Sequence, residues 1–151
     1  MKKVSIISVL FSITAFAGNE INESSVPQNI SKKFHNQFPE VQSVAWQMTD
    51  NNQYEAILTQ NDMETDVYYD NQARCIEVDR KITFEQLPGE LQAQIKNEYG
   101  TDFHIVHVVI IDKQNAKPTY SVRIKQGKLA YELEFVDANK VDLAFHKRII
   151  S

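Results

Sequence analysis

A chain of 151 residues with 42% hydrophobic, 24% charged and 10% aromatic content is long enough for one globular domain and too short for a large multidomain enzyme. Its apolar residues are spread along the chain and it holds only 4 Gly and 4 Pro, which excludes disordered, collagen-like and linker-like readings. One cysteine rules out an internal disulfide framework and any multi-cysteine metal site, and a formal charge of −4 argues against nucleic acid as a partner.

The N-terminus reads Met1-Lys2-Lys3 and then an apolar run from Val4 to Ala17, the n-region and h-region of a secretory signal. Ala15-Phe16-Ala17 supplies a small-x-small cleavage site. The run is shorter than the roughly 20 apolar residues that a membrane-spanning helix needs. Cleavage after Ala17 would leave 151 − 17 = 134 residues, and loss of Lys2 and Lys3 would take the charge from −4 to −6. No cysteine stands near the site to carry a lipid anchor. The expected address is therefore periplasmic or secreted. Residues 18–25 are polar and read as a mobile leader, and a single domain is expected over 26–151.

A helix is expected to begin at Val26-Pro27, because proline at a first turn gives up no hydrogen bond that the helix needs. Ile30, Phe34 and Phe38 then form one apolar stripe at a spacing of four, and Phe38-Pro39 ends it. Alternating patterns follow: Val44, Trp46 and Met48; Tyr54, Ala56 and Leu58; Thr65, Val67 and Tyr69. Asp70-Asn71-Gln72-Ala73 is a turn, and a fourth strand runs from about Arg74 to Ile82. The scheme then restarts. Leu87-Pro88, Leu91, Ile95 and Tyr99 repeat the first helix at an offset of 61, and Gly100 is its stop. His104 to Ile111 is a near-continuous β-rich run, followed by Tyr120, Val122 and Ile124, then Leu129, Tyr131, Leu133 and Phe135. Asp137-Ala138-Asn139-Lys140 mirrors the earlier turn at an offset of 67, and Val141, Leu143 and Phe145 close the pattern. The change of offset predicts a loop about six residues longer at Asp112 to Pro118. Units of about 60 residues are too small to bury such stripes alone. The expected fold is α+β: a tandem repeat, about 26–82 and 87–146, of a helix plus an antiparallel meander. Both helices would pack on one face of a curved sheet of six to eight strands.

The passage from Val26-Pro27 through Phe38-Pro39, Val41, Val44 and Trp46 resembles the PepSY-like, β-lactamase-inhibitor-like group of small exported bacterial proteins of the Bacteroidetes type. Tyr54-Glu55-Ala56 and Tyr68-Tyr69-Asp70 running into Ile76-Glu77 extend the resemblance. Leu87-Pro88, Tyr120-Ser121-Val122 and Tyr131-Glu132-Leu133-Glu134 repeat it more loosely. The resemblance implies a tandem α+β repeat on a curved antiparallel sheet, carries no catalytic residues, and points to protein binding. Gln72-Ala73 and Asn139-Lys140 stand where a glycine-bearing turn is typical, and Cys75 where a bulky residue is common.

Strand and loop geometry decides among the polar constellations. His104 and His107 lie three apart on a strand, so alternation puts them on opposite faces and unable to chelate one ion. Cys75 would share a strand face with Glu77 and Asp79, which disfavours a thiolate. Asp137 to Asp142 starts like a calcium loop but lacks the glycine and the closing glutamate. Glu132 with Glu134, and Glu77 with Asp79, are spaced as an inverting glycosidase pair would be, at roughly 6.5–7 Å, but so is any solvated strand face. One pattern remains. If the apolar strand residues face the helices, the opposite parity collects Glu55, Asp66, Tyr68, Glu77, Asp79, Glu132 and Glu134, with Arg123 and Lys125 as the opposing cations. Such a face suits a basic protein or peptide. The expected function is an exported, non-enzymatic binding protein that uses Glu55, Asp66, Tyr68, Glu77, Asp79, Arg123, Glu132 and Glu134. It needs no cofactor or metal. Two alternatives stay open: a modulator or inhibitor of an exported peptidase, and a small envelope-glycan enzyme using the strand carboxylates. Long sheet edges leave both monomer and dimer open.

Overall fold

Pro27 and Pro88 each occupy the position just before a helix, where a missing N–H costs nothing. In the computed structural model, which describes residues 19–136 and 143–150, α1 spans Gln28–Gln37 and α2 spans Gly89–Tyr99. The amide of Phe38 donates to the Phe34 carbonyl at 2.8 Å and closes α1. Gly100 ends α2 at φ +73 and ψ −151, a conformation that a side chain strongly disfavours.

The strands are β1 (Asn19–Ile21), β2 (Val44–Met48), β3 (Tyr54–Gln60), β4 (Met63–Tyr69), β5 (Cys75–Lys81), β6 (His104–Lys113), β7 (Thr119–Gln126), β8 (Leu129–Val136) and β9 (Leu143–Ile150). They form one antiparallel meander in chain order, nine strands wide. Each helix is followed by four strands. The expected six to eight strands become nine because Asn19–Ile21, within the segment read as a mobile leader, pairs with Trp46–Met48 as an edge strand. A 3-10 turn at Glu23–Ser25 then leads towards α1. The turn expected at 137–140, the proposed signal at 1–17 and Val141 lie outside the described residues.

The extra length of the second half is not a loop. Residues 114–118 match 49–53 in number, whereas β6 has 10 residues against 5 in β2. The added part of β6 is the joint of the molecule: Val109–Lys113 pairs with Glu77–Lys81 and fuses the two meanders into one sheet.

Register places both helices on the same face. Trp46, Ala56, Val67 and Val78 are successive cross-strand partners, and Val78 continues to Asp112 of β6. On β6 the same parity carries Val108, which continues to Val122 and Leu133. Two clusters of buried side chains result. Ile30 and Phe34 of α1 pack on Trp46, Leu58, Val67 and Tyr69, with the Phe34 and Trp46 rings in a T-shaped contact at 5.2 Å. Leu91 and Ile95 of α2 pack on Val108, Val122, Ile124 and Leu133. The two clusters each gather under one helix, and the Arg80–Asp112 ion pair lies on the same sheet face between them.

Three β-bulges alter the expected parities, because an unpaired extra residue reverses the alternation beyond it. The last skips Ala144, so that Leu143 pairs with Phe135 but Phe145 with Glu134, and these two do not share the single pattern expected of them. At the first, Tyr68 pairs with Glu77 but Tyr69 pairs with Cys75, so Ile76 is skipped. Cys75 therefore turns to the helix side and packs against the α1 cluster, not beside Glu77 and Asp79 as alternation implied. Burial pushes its thiol up, against weaker opposing influences from Gln37 and Lys33 of α1. At the second, Ile105 pairs with Ile124 and His107 with Arg123, so Val106 is skipped. His104 and His107 thus share one parity, contrary to expectation. No group of three or more metal-ligating side chains forms among the described residues.

Candidate functional site

The face opposite the helices carries all eight residues assigned to it from sequence. Register runs across it in three rows. Gln47, Glu55, Tyr68, Glu77 and Lys113 form one. Ala45, Ile57, Asp66, Asp79 and Ile111 form the next. His107, Arg123 and Glu132 form a row at the far end. Glu134 pairs with Ser121, which in turn pairs with Val109.

This face is less wet than a flat solvated sheet. Glu55 is only 8% exposed, Ile111 5% and Val109 8%. Its electrostatics divide into two regions. At the β6–β8 end, Glu132 is fully engaged: Ser121 Oγ donates to Oε1 at 2.7 Å, Arg123 Nε donates to Oε2 at 2.6 Å, and His107 Nε2 lies 3.2 Å from Oε1. Burial alone would raise its pKa, but the hydrogen bonds from His107, Ser121 and Arg123 override burial and hold it down to about 2. Glu132 is thereby a structural anion, with both oxygens occupied and none left to protonate a glycan. Glu134 beside it is pushed up by burial and by the Glu132 charge, with Lys113 opposing.

At the β3–β5 end the carboxylates outnumber their donors. Gln47 Nε2 donates to Glu55 Oε2 at 2.5 Å, and the Tyr68 hydroxyl bonds to Glu55. Lys113 Nζ lies 3.3 Å from Glu77 Oε2. Asp66 and Asp79, direct cross-strand partners, each turn one buried oxygen to where it meets no hydrogen-bond donor. Burial, with Glu55 adding to it, pushes Asp66 up to about 6. Burial, with Glu77 and Asp66 adding to it, pushes Asp79 up to about 8. Tyr68 is raised by burial and by the surrounding carboxylates.

The sequence reading missed His107 and Lys113 as members of the face. The Val106 bulge hid the first. The lengthening of β6 hid the second, since Lys113 falls in the segment expected to loop out. Lys125 keeps the expected parity, opposite His104 and Ala130. A separate cleft of about 560 Å³ opens at the end of β2 and β3, lined by Glu40, Val41, Ala45, Ile57 and Glu64 among others. It adjoins the acidic rows through Ile57, the register partner of Asp66.

A family model described as "Putative beta-lactamase-inhibitor-like, PepSY-like" matches the chain twice, over residues 13–77 and 52–147. The chain belongs to the PepSY-like family. Among solved structures, a BLIP-like protein from Bacteroides fragilis NCTC 9343 is similar at 19% identity and TM-score 0.70, covering 83% of this chain and 87% of that one. A protein from Bacteroides eggerthii DSM 20697 described as "putative periplasmic" is similar at 16% identity and TM-score 0.74, with 82% and 89% covered. A DUF2874 family protein from Bacteroides ovatus ATCC 8483 is similar at 14% identity and TM-score 0.72, with 81% and 86% covered. At such identities the likeness is one of fold. No curated protein matches the chain. Among the described residues of this PepSY-like chain, no helix is long and apolar enough to cross a membrane.

Proposed function

We propose that this PepSY-like protein is exported and acts without catalysis, holding a protein or peptide against its open sheet face. The observation that carries the reading is the excess of carboxylates over donors around Tyr68, on a face that no helix covers among the described residues. Glu55, Asp66, Glu77 and Asp79 meet only Gln47, Tyr68 and Lys113 in their rows, so a cationic partner would gain complementary contacts there. Arg123 and Glu132 neutralise one another at the other end and frame the surface. The signal-like N-terminus supports export, as does the periplasmic description of the Bacteroides eggerthii neighbour.

The test is capture of partners from a host extract by the immobilised protein and by a Tyr68→Ala/Glu134→Lys variant, which spares the Glu132 network. Loss of partner from a variant that is still folded at the assay temperature is expected, with a lowered melting temperature from the lost Tyr68 ring and its bond to Glu55. The same partners at the same yield from both proteins would remove the face from the account. The inhibitor-like family description favours an enzyme as the partner class, and an exported peptidase is the alternative already named. Titration of host peptidases with micromolar protein separates the two: a drop in rate supports a modulator, and unchanged rates support a partner of another kind.

A further inference from the structure

Asp66 and Asp79 face one another across β4 and β5, and the buried inward oxygen of each meets no donor. The elements packed against them add acids and apolar groups, with Lys113 of β6 as the one opposing cation, outweighed by burial and by the neighbouring acids. From β3 come Glu55 and the apolar Ile57. From β4 and β5 come Tyr68 and Glu77, with Glu64 and Lys81 paired to each other at the next position along the same parity. From β6 come Ile111, opposite Asp79, and Lys113, which lies against Glu77. Two facing carboxylates in a half-buried site repel each other strongly and leave both inward oxygens unsatisfied. A single proton removes one charge and supplies the missing donor. Asp79 is its seat, since besides facing Asp66 across the strand pair it makes a side-chain hydrogen bond with Glu77, whose carboxylate accepts the proton. Asp66 is flanked by Glu55 and Asp79, with no such acceptor of its own.

We infer that Asp79 retains a proton at neutral pH, held between Asp66 and Glu77, so that the centre of the open face gains one negative charge when that proton leaves. The protonation concerns the protein alone. Its effect on partner affinity rests on the open-face reading above, in which a cationic partner would bind more tightly as the proton leaves.

Carboxyl-carbon NMR of the full chain labelled at aspartate tests this directly. In the wild type, the Asp79 resonance is expected to titrate with a midpoint near 8 and Asp66 near 6, both far above an ordinary aspartate at about 3.9. In Asp66→Asn, the Asp79 midpoint should fall by about one pH unit or more, because the amide gives it a donor and removes a neighbouring charge. Glu77→Gln should act in the same direction, and serves if Asp66→Asn folds poorly. Aspartates that all titrate below about pH 5 overturn the inference. So does an Asp79 midpoint unmoved by both variants, which would make burial the whole cause. If the titration is as expected but partner affinity is the same at pH 6 and pH 9, the open-face reading fails and the proton stays.

Discussion

Glu132 and Asp79 are both half-buried carboxyls on one sheet face, and their surroundings drive them in opposite directions. Glu132 accepts from Ser121 and Arg123 and lies within reach of His107, whereas Asp79 is flanked by acids. A carboxylate whose folded pKa is depressed stabilises the fold above its ordinary pKa and loses that contribution as pH falls through its folded value. For Glu132 the window runs from about 4.5 down to about 2. Glu132→Gln should therefore cost about 2–3 kcal/mol at neutral pH, since it weakens charge-assisted bonds and leaves Arg123 unpaired. Chemical denaturation at pH 7 and at pH 2 checks this. The gap between wild type and variant should shrink towards the acid end, and a gap independent of pH would contradict the role assigned to the charge. Asp66 and Asp79 carry the opposite sign. Their raised values lower stability progressively as pH climbs from the ordinary aspartate range through about 6 and about 8.

The turn between β4 and β5 shows how a short element compensates for an unsuitable residue. Ala73 sits at φ +60, where glycine is at ease and a Cβ is crowded. Asp70 holds it there: its Oδ1 accepts from the Gln72 and Arg74 amides at 2.9 Å, and its Oδ2 takes the Arg74 Nε at 2.6 Å. Ala73→Gly should raise stability by about 0.5–1 kcal/mol, since relief at φ > 0 exceeds the small packing loss against the α1 cluster. Gly100→Ala, at the end of α2, should lower it by about 1–2 kcal/mol, although nothing within 4 Å would meet the new Cβ. Thermal melts of the two variants should move in opposite directions. Element positions were readable in the sequence because stripes at a spacing of four and alternation at two survive in a single chain. Ile30, Phe34, Leu91 and Ile95 are all buried as expected, and so are Trp46, Val67, Val122 and Leu133. Alternation is blind to bulges, however. Each of Ile76 and Val106 reverses the parity beyond it without any residue that marks it, which is why Cys75 and the two histidines were misplaced.

At the scale of the whole molecule, the two helices cover one face of a nine-stranded meander and leave the other to carry the charge. The eight open-face residues were legible because no skipped residue separates them from the apolar neighbour that sets their parity: Val67 for Tyr68, Val78 for Glu77 and Leu133 for Glu134, although a bulge lies just beyond each of these three. How that face divides was not legible. Whether a carboxylate finds a donor depends on cross-strand register, which joins residues as distant as Glu77 and Lys113. The sequence count of charges therefore overstated the anionic surface at the β6–β8 end, where Arg123 and His107 absorb Glu132. It understated how far Asp66 and Asp79 are withdrawn from water at the other end. The sheet joint at Glu77–Lys81 and Val109–Lys113 brings these regions onto one continuous surface, so a partner spanning both would contact strands from each half of the chain.

Site-specific photo-crosslinking measures most directly whether that surface is where a partner sits. A benzophenone amino acid placed at Tyr68, in the middle of the open face, is to be compared with the same group at Asn97 on the outer side of α2. Irradiation in host extract should give one discrete protein adduct from position 68 and none from position 97. An adduct from position 97 alone, or matching adducts from both, would contradict the account.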